Sequence, residues 1–160
     1  MADTLIAYYS LEGNIDFVAR ELAKEIGADL FRIDTVKAYP ERGLAKFFHG
    51  GKDTVMGARP ELKAPLPDLS AYSTVVLGMP VWAGRPAAPI NTALAGADFS
   101  GRRVAAFASS AGGDTGKTFD IIERRLQGAE LFATESFKNP LRDPDVAAEK
   151  IKAFAKKLGC

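Results

Sequence analysis

Residues 4–15 read Thr-Leu-Ile-Ala-Tyr-Tyr-Ser-Leu-Glu-Gly-Asn-Ile, an apolar run that changes abruptly into a short loop containing a glycine. A helical pattern follows, in which Ile15, Val18 and Leu22 recur on one stripe before Gly27 ends it. The stretch therefore predicts a strand, a tight loop and the start of a helix. Such a loop leaves backbone N–H groups unpaired at the positive end of the helix dipole, which favours binding of a phosphate group.

The bulk properties predict one soluble domain spanning residues 1–160. Of the 160 residues, 47% are hydrophobic, which is enough to bury an ordinary core. The single cysteine, Cys160, cannot form an internal disulfide, and the N-terminus has no signal-peptide pattern, so we expect a cytoplasmic protein. No apolar run reaches the roughly 18 residues of a membrane span. The 21 basic residues are scattered among 20 acidic ones, which argues against a nucleic-acid partner.

Short apolar runs alternate with amphipathic segments along the chain and predict repeated β-α units. The predicted strands cover residues 4–9, 30–33, 74–78, 103–108 and 130–132. The predicted helices cover residues 15–26, 119–126 and 144–158, with a further short helix within 43–56 and none at 64–68. Because the central strands are continuously apolar rather than alternating, we expect them to be parallel and covered by helices on both faces.

Three of the predicted strands end in loops whose composition suits a ligand. In an open parallel sheet, ligands lie beyond the carboxyl ends of the strands. The first loop is the phosphate-binding candidate at residues 10–15. The second loop, residues 79–86, places the only tryptophan, Trp82, between two prolines, and the third, residues 109–114, has two glycines that let the backbone approach a ligand closely. Together they predict a nucleotide-like pocket.

In these loops the sequence resembles the flavodoxin family, in particular a small flavodoxin-like branch. That branch carries a Ser-Leu-Glu-Gly-Asn-Thr loop after the first strand and a Pro-Val-Trp-Ala-Gly loop after the third, close to residues 10–15 and 80–84 here. The resemblance covers nearly the whole chain. It implies a three-layer α/β fold, with a five-stranded parallel sheet in the order 2-1-3-4-5, that holds FMN non-covalently.

The resemblance also implies which residues bind FMN. The first loop, which receives the phosphate, contributes Ser10, Leu11, Glu12, Gly13, Asn14 and Ile15. The second loop flanks the isoalloxazine ring, with Trp82 stacked on it and a wall formed by Pro80, Val81, Ala83 and Gly84. The third loop borders the pyrimidine end of the ring through Ser109, Ser110, Ala111, Gly112 and Gly113.

Two positions in the first loop depart from the common flavodoxin pattern, which has threonine where this chain has Glu12 and Ile15. A carboxylate about 5 Å from one phosphate charge costs roughly 1 kcal/mol in water-like surroundings and roughly 3 kcal/mol at an effective dielectric of 20, so we expect Glu12 to point away. The missing hydroxyl at Ile15 removes a hydrogen bond worth on the order of 1.5 to 3 kcal/mol. We therefore expect weaker FMN binding, and a site that holds no FMN remains an alternative.

Other kinds of site fit the sequence poorly. Residues 112–118 resemble a P-loop, but the required glycine is replaced by Ala111. Ser109 and Ser110 lack a nucleophile elbow, and the only histidine, His49, is distant in sequence. No cysteine or histidine pair has metal-ligand spacing. The ends of the first and third strands lack the acidic residues of a receiver domain.

Two functions stay open at this point. The first is an FMN-dependent redox protein, either a small oxidoreductase with a quinone-type acceptor or an electron carrier with a redox partner protein, so that its status as an enzyme is undecided. The net charge of +1 differs from the strongly acidic charge of the electron-carrier flavodoxins that the sequence resembles. The second is a flavodoxin-fold binding or regulatory module with weak or lost FMN binding. We expect a monomer or a homodimer.

Overall fold

Five parallel strands form the central sheet of the computed structural model, which describes residues 2–40 and 57–159. They are β1 (Thr4–Tyr8), β2 (Asp29–Arg32), β3 (Thr74–Trp82), β5 (Arg103–Ser110) and β6 (Glu130–Lys138). Their order is β2-β1-β3-β5-β6, and the two-residue strand β4 (Arg85–Pro86) pairs antiparallel with the end of β3. Counting the parallel strands alone, this is the predicted order 2-1-3-4-5, which is confirmed.

Helices cover both faces of the sheet. They are α1 (Asn14–Ile26), α2 (Ala88–Gly96), α3 (Thr118–Arg125) and α4 (Pro144–Lys157), and a 3-10 turn spans Leu69–Ala71. The α1 and α4 helices share one core cluster, and α2 and α3 contribute to the other. Val75 and Val76, neighbours on β3, are both 0% exposed and belong to different clusters. Burial on both faces explains why the central strands are continuously apolar.

A close approach between β3 and β5 fixes the middle of the sheet. Gly78 pairs with Phe107 in the parallel ladder, and a Cβ atom at Gly78 would clash with the Phe107 ring. The ring makes edge-to-face contacts with Phe137 and Phe154, at centroid distances of 6.1 and 6.3 Å. A glycine at position 78 therefore lets an aromatic cluster pack directly against the sheet.

The structure corrects the predicted elements at the ends of three strands and at one helix. Strands β3, β5 and β6 each continue beyond their predicted ends. Helix α2 was not predicted, because its buried residues, including Ile90, Asn91 and Leu94, leave no amphipathic stripe for a helical pattern. The predicted helix within residues 43–56 lies outside the described residues. Residues 64–68 are not helical, as predicted.

Candidate functional site

A cavity of about 380 Å³ lies where β1, β3 and β5 end. Its lining consists of Ser10, Leu11, Glu12, Asn14, Ile15, Pro80, Val81, Trp82, Ala83, Ser109, Ser110, Ala111 and Asn139. All three predicted loops therefore meet at one place. Four predicted residues do not line the cavity, and they are the glycines Gly13, Gly84, Gly112 and Gly113. Asn139 lines it without having been predicted.

The first loop presents unpaired backbone donors at the start of α1. Gly13 precedes the helix with a φ of 96° and caps it without a side chain. The Asp16 N–H donates to Ser10 Oγ at 3.0 Å, so the Ser10 hydroxyl still has its own proton to donate. Within the described part of the chain, the Asn14 and Ile15 N–H groups have no acceptor. These two N–H groups lie at the positive end of the helix dipole.

A charged network supports this loop from outside the cavity. The Asp16 carboxylate accepts hydrogen bonds from the Tyr8 hydroxyl at 2.6 Å and from Arg20 Nε at 2.8 Å. Arg32, on β2, donates through Nη1 to Asp16 at 3.3 Å and through Nη2 to the Ser10 carbonyl oxygen at 3.1 Å. Arg32 therefore ties the loop to the neighbouring strand.

The network shifts the ionisation of its members. Burial and the hydrogen bond to Asp16 raise the pKa of Tyr8 to about 12. Partial burial opposes ionisation of Asp16, but hydrogen bonds from Tyr8 and Arg20 outweigh it and lower the pKa of that carboxyl below its ordinary value. Asp16 therefore stays ionised at neutral pH, and its negative charge in the first turn of α1 is matched by two arginines.

The two departures in the first loop have different surroundings. Ile15 is 1% exposed, and its side chain belongs to the core cluster under α1 and α4. An apolar side chain at this position therefore serves the core, while its N–H remains at the helix start. Glu12 is exposed and lines the cavity.

The second wall is a strand end and a hairpin rather than the predicted loop. Strand β3 runs through Trp82, which pairs with Arg85 on β4. The two residues between them, Ala83 and Gly84, have φ angles of 51° and 72°. Two positive φ angles are typical of the tight turns that connect hairpins. This turn is hard to predict from the sequence, because alanine seldom adopts a positive φ.

The indole of Trp82 is held in place by two tyrosines. Its ring meets Tyr9 edge to face at a centroid distance of 5.6 Å and Tyr39 at 5.0 Å. Such edge-to-face pairs contribute about 0.5 to 1.5 kcal/mol each beyond burial. The aromatic wall of the cavity is therefore positioned by the protein itself.

The hairpin is fastened to the third loop through backbone contacts. The Lys117 N–H donates to the Gly84 carbonyl oxygen at 2.7 Å. A Cβ atom at Gly116 would lie 2.6 Å from that same oxygen, so a side chain there would displace the hairpin. The Asp114 carboxylate accepts from the Gly116 N–H at 2.8 Å. The P-loop-like residues 112–118 thus contain the contact that joins two walls of the cavity.

The third wall carries a polar group without a partner. The Ser110 Oγ atom is buried and makes no hydrogen bond within the described part of the chain. The Asn139 side chain donates to the Ala111 carbonyl oxygen at 3.2 Å, and its N–H donates to that of Ser110 at 3.3 Å. An unpaired hydroxyl in a cavity wall is a group that a bound ligand can satisfy. The signal for Asn139 was the Asn-Pro pair that follows β6.

The described residues place N–H donors for a phosphate group, an aromatic wall and an unpaired hydroxyl around one cavity. This combination fits a flavin mononucleotide. They contain no cluster of three metal-ligating side chains. None of the helices in the described ranges has the length and apolar character needed to cross a membrane.

The chain is similar in sequence to one known family. A family model described as flavodoxin matches residues 3–147. No curated protein sequence matches the chain.

Solved structures share the fold. A flavoprotein in complex with FMN from Lactobacillus acidophilus NCFM is 24% identical, with a TM-score of 0.72 over 89% of this chain and 96% of that chain. Oxidised flavodoxin 2 from Bacillus cereus is 20% identical, with a TM-score of 0.62 over 99% and 98%. Two-electron reduced flavodoxin from Megasphaera elsdenii is 19% identical, with a TM-score of 0.57 over 96% and 98%.

Proposed function

This chain belongs to the flavodoxin family, and on that basis we propose that it binds FMN in the cavity at the ends of β1, β3 and β5 and transfers electrons. The observation that carries the proposal is the meeting of three different ligand-binding features around one cavity of about 380 Å³. That size is within the range of small-molecule pockets. A similar protein, from Lactobacillus acidophilus, was crystallised with FMN.

The first loop holds the phosphate in this proposal. The Asn14 and Ile15 N–H groups and the Ser10 hydroxyl donate to phosphate oxygens, assisted by the dipole of α1. Arg32 supports them by fixing the Ser10 carbonyl group from β2. Because the Ile15 side chain is in the core and offers no hydroxyl, we expect weaker phosphate binding than the threonine pattern gives.

The other two walls hold the ring. Trp82, positioned by Tyr9 and Tyr39, packs against the isoalloxazine and excludes water from it. The Ser110 hydroxyl donates to a ring heteroatom and so gains the partner that it lacks in the protein alone. When bound, FMN supplies one- and two-electron chemistry, so the reaction requires no side-chain acid or base.

The charge of the chain favours a small acceptor. Long-range attraction to a basic partner protein needs a strongly negative surface, whereas the net charge here is +1. We therefore propose a small cytoplasmic oxidoreductase with a quinone-type acceptor, with electron transfer to a partner protein as the alternative. Turnover of a quinone with a nicotinamide donor, compared with and without FMN, separates them: turnover that depends on FMN supports the oxidoreductase.

The first test is a spectrum of the purified protein and a titration with FMN. The chain has one tryptophan, so quenching of its fluorescence reports contact with Trp82 directly. We expect two flavin absorption bands and saturable quenching. A folded protein that shows neither result would contradict FMN binding and would favour a binding or regulatory module, which the departures at Glu12 and Ile15 also suggest.

Two buried hydroxyls make a sharper test. Ser110 Oγ and Thr118 Oγ1 both lack a partner in the described part of the chain, but only Ser110 lines the cavity. Removing an unsatisfied buried hydroxyl is neutral or stabilising for the protein alone. We expect Ser110→Ala to lower FMN affinity by roughly three- to tenfold without destabilising the ligand-free protein. The matched variant Thr118→Val should leave FMN affinity unchanged, and an equal loss in both variants would argue against the proposed contact.

A further inference from the structure

A second cavity, of about 640 Å³, lies between α2 and α3 and shares no lining residue with the first. Three arginines line it, namely Arg59, Arg124 and Arg125. Asp98 is the one acidic residue in its lining. This cavity is thus positively charged, and the proposed redox function does not use it.

Arg125 is held by a neutral amide instead of a carboxylate. Its Nη1 atom donates to Oδ1 of Asn91, a residue that is 4% exposed. Asn91 is oriented in turn, because its Nδ2 atom donates to the Ala58 carbonyl oxygen at 3.0 Å. A guanidinium group has five N–H donors, and this one has a single acceptor within the described part of the chain. The Arg125 head is therefore fixed in orientation, with most of its donors and all of its charge uncompensated.

Hydrogen bonds to α2 also hold Arg59 near Arg125. Thr92 donates through Oγ1 to the Pro60 carbonyl oxygen at 2.6 Å, so the residues on both sides of Arg59 are bonded to α2. Arg59 makes no ion pair or hydrogen bond with any described residue. Two guanidinium groups therefore act on one end of the cavity.

Among the described residues, no neighbouring charge neutralises this end. Asp98 follows the C-terminus of α2, and its carboxylate accepts from the Ser100 N–H at 2.9 Å. Partial burial and the like charges of Arg59 and Arg85 lower the pKa of Arg125. The repulsion between positive charges in a cavity is offset when an anion binds between them.

We propose that the end of this cavity formed by Arg59, Asn91 and Arg125 binds the phosphate group of a small molecule. The planar fork of a guanidinium group matches two phosphate oxygens, and such charge-assisted pairs are among the stronger hydrogen bonds in proteins. The site is near the hairpin of the first cavity, because the charge of Arg85, which pairs with Trp82 across that hairpin, acts on Arg125. Two sources can supply the phosphate: an inorganic phosphate or pyrophosphate ion, or a phosphorylated cofactor such as a nicotinamide dinucleotide phosphate.

The test is a calorimetric titration of the full chain with inorganic pyrophosphate. FMN is added first, so that the proposed FMN site is occupied before pyrophosphate is titrated. We expect Arg125→Gln and Arg59→Gln each to weaken pyrophosphate binding about tenfold or more, because each removes a charge-assisted hydrogen bond. Arg20→Gln removes the same charge from α1, on the opposite face of the sheet, and should change affinity less than twofold. The effect of Arg125 reports this site alone, whether or not FMN binds, so the two proposals fail separately.

Absence of pyrophosphate binding to the wild-type protein, or an equal loss in Arg20→Gln, would overturn the proposal. Thermal unfolding of each variant checks that it is folded, and Arg125→Lys gives a second test, because lysine keeps the charge and loses the fork. Displacement of pyrophosphate by a nicotinamide dinucleotide phosphate identifies a cofactor as the source, and binding of pyrophosphate alone identifies a free ion.

Discussion

Two groups of arginines in this protein differ in how their charges are balanced. Arg20 and Arg32 share the carboxylate of Asp16 beside the first loop. Arg125 and Arg59, beside α2, have no carboxylate partner among the described residues. Arg20 and Arg32 have paired charges and support the first loop, whereas the charges of Arg59 and Arg125 are unpaired among the described residues and remain available to an anion.

The difference lies in what each group would lose. Around Asp16, removing one member leaves a partly buried charge or hydroxyl without a partner, which is costly. Around Asn91, removing Arg59 relieves its repulsion with Arg125, whereas removing Arg125 also takes a hydrogen bond from the buried Asn91 Oδ1 atom. Substitutions should therefore destabilise the protein around Asp16 and leave its stability nearly unchanged at Arg59.

The largest effect is expected from Asp16→Ala. This change removes the acceptor of the Tyr8 hydroxyl and of two arginines, and it should lower the free energy of unfolding at pH 7 by about 2 to 3 kcal/mol. Asp34→Ala is the matched control, because Asp34 forms an ion pair only with Arg32 among the described residues, at the surface, and its loss should cost less than about 1 kcal/mol. Urea unfolding measures both, and equal losses would remove the distinction between the two carboxylates.

The stability difference between the wild type and Asp16→Ala should depend on pH. The folded protein lowers the pKa of Asp16, so the stability that this carboxylate contributes is present above its ordinary pKa of about 3.9 and is lost as the pH falls through the lower folded value. The stability difference between wild type and Asp16→Ala should therefore shrink as the pH falls below about 5. A difference that stays constant over this range would show that the contribution is one of packing rather than charge.

The next effect concerns ligand affinity and separates the two arginines that share Asp16. Only Arg32 also reaches the Ser10 carbonyl group. We expect Arg32→Gln to weaken FMN binding about tenfold, since it loses hydrogen bonds from a charged donor, whereas Arg20→Gln should change it less than threefold. Riboflavin, which lacks the phosphate, should bind equally well to both variants. A parallel loss for riboflavin would mean that Arg32 acts on the fold and not on the phosphate loop.

A smaller effect is expected at Tyr8. Tyr8→Phe removes one hydrogen bond to Asp16 and should cost about 1 to 2 kcal/mol of stability. Because folding raises the pKa of Tyr8 to about 12, its contribution is complete below the ordinary pKa of about 10 and is lost as the pH rises toward 12. The hydrogen bond from Tyr72 to Asp29 also raises the pKa of Tyr72, so absorbance titration should show two tyrosines ionising later than an ordinary tyrosine. Tyr8→Phe should lose the one that ionises near pH 12 and keep the other. A step near pH 12 that persists in the variant would contradict the assignment to Tyr8.

The sequence predicted the sheet and the first loop because both depend on local patterns. Continuous apolar runs mark strands that are buried on both faces, and a glycine before an amphipathic stripe marks the start of α1. The hairpin after β3 was missed, because Ala83 adopts a positive φ without the usual asparagine. Helix α2 was missed for the opposite reason, since a helix buried on most sides has no polar face to reveal its period.

The arginine groups could not be predicted from spacing. Arg32 and Ser10 are 22 residues apart, and Arg125 and Asn91 are 34 residues apart, so each contact depends on how strands and helices meet in space. Composition records only that 21 basic residues balance 20 acidic ones. It does not show that some of these charges are paired and others are not.

The smallest effect is the most direct test of the comparison. Arg59 has an exposed side chain with no ion pair in the described ranges, so Arg59→Gln should change the free energy of unfolding by less than about 0.5 kcal/mol. Any change should be toward greater stability and should fade with added salt, because it comes from relieved repulsion with Arg125. A loss of more than about 1 kcal/mol would show that Arg59 has a structural partner. The distinction between arginines that stabilise the fold and arginines whose charge is available to a ligand would then fail at this residue.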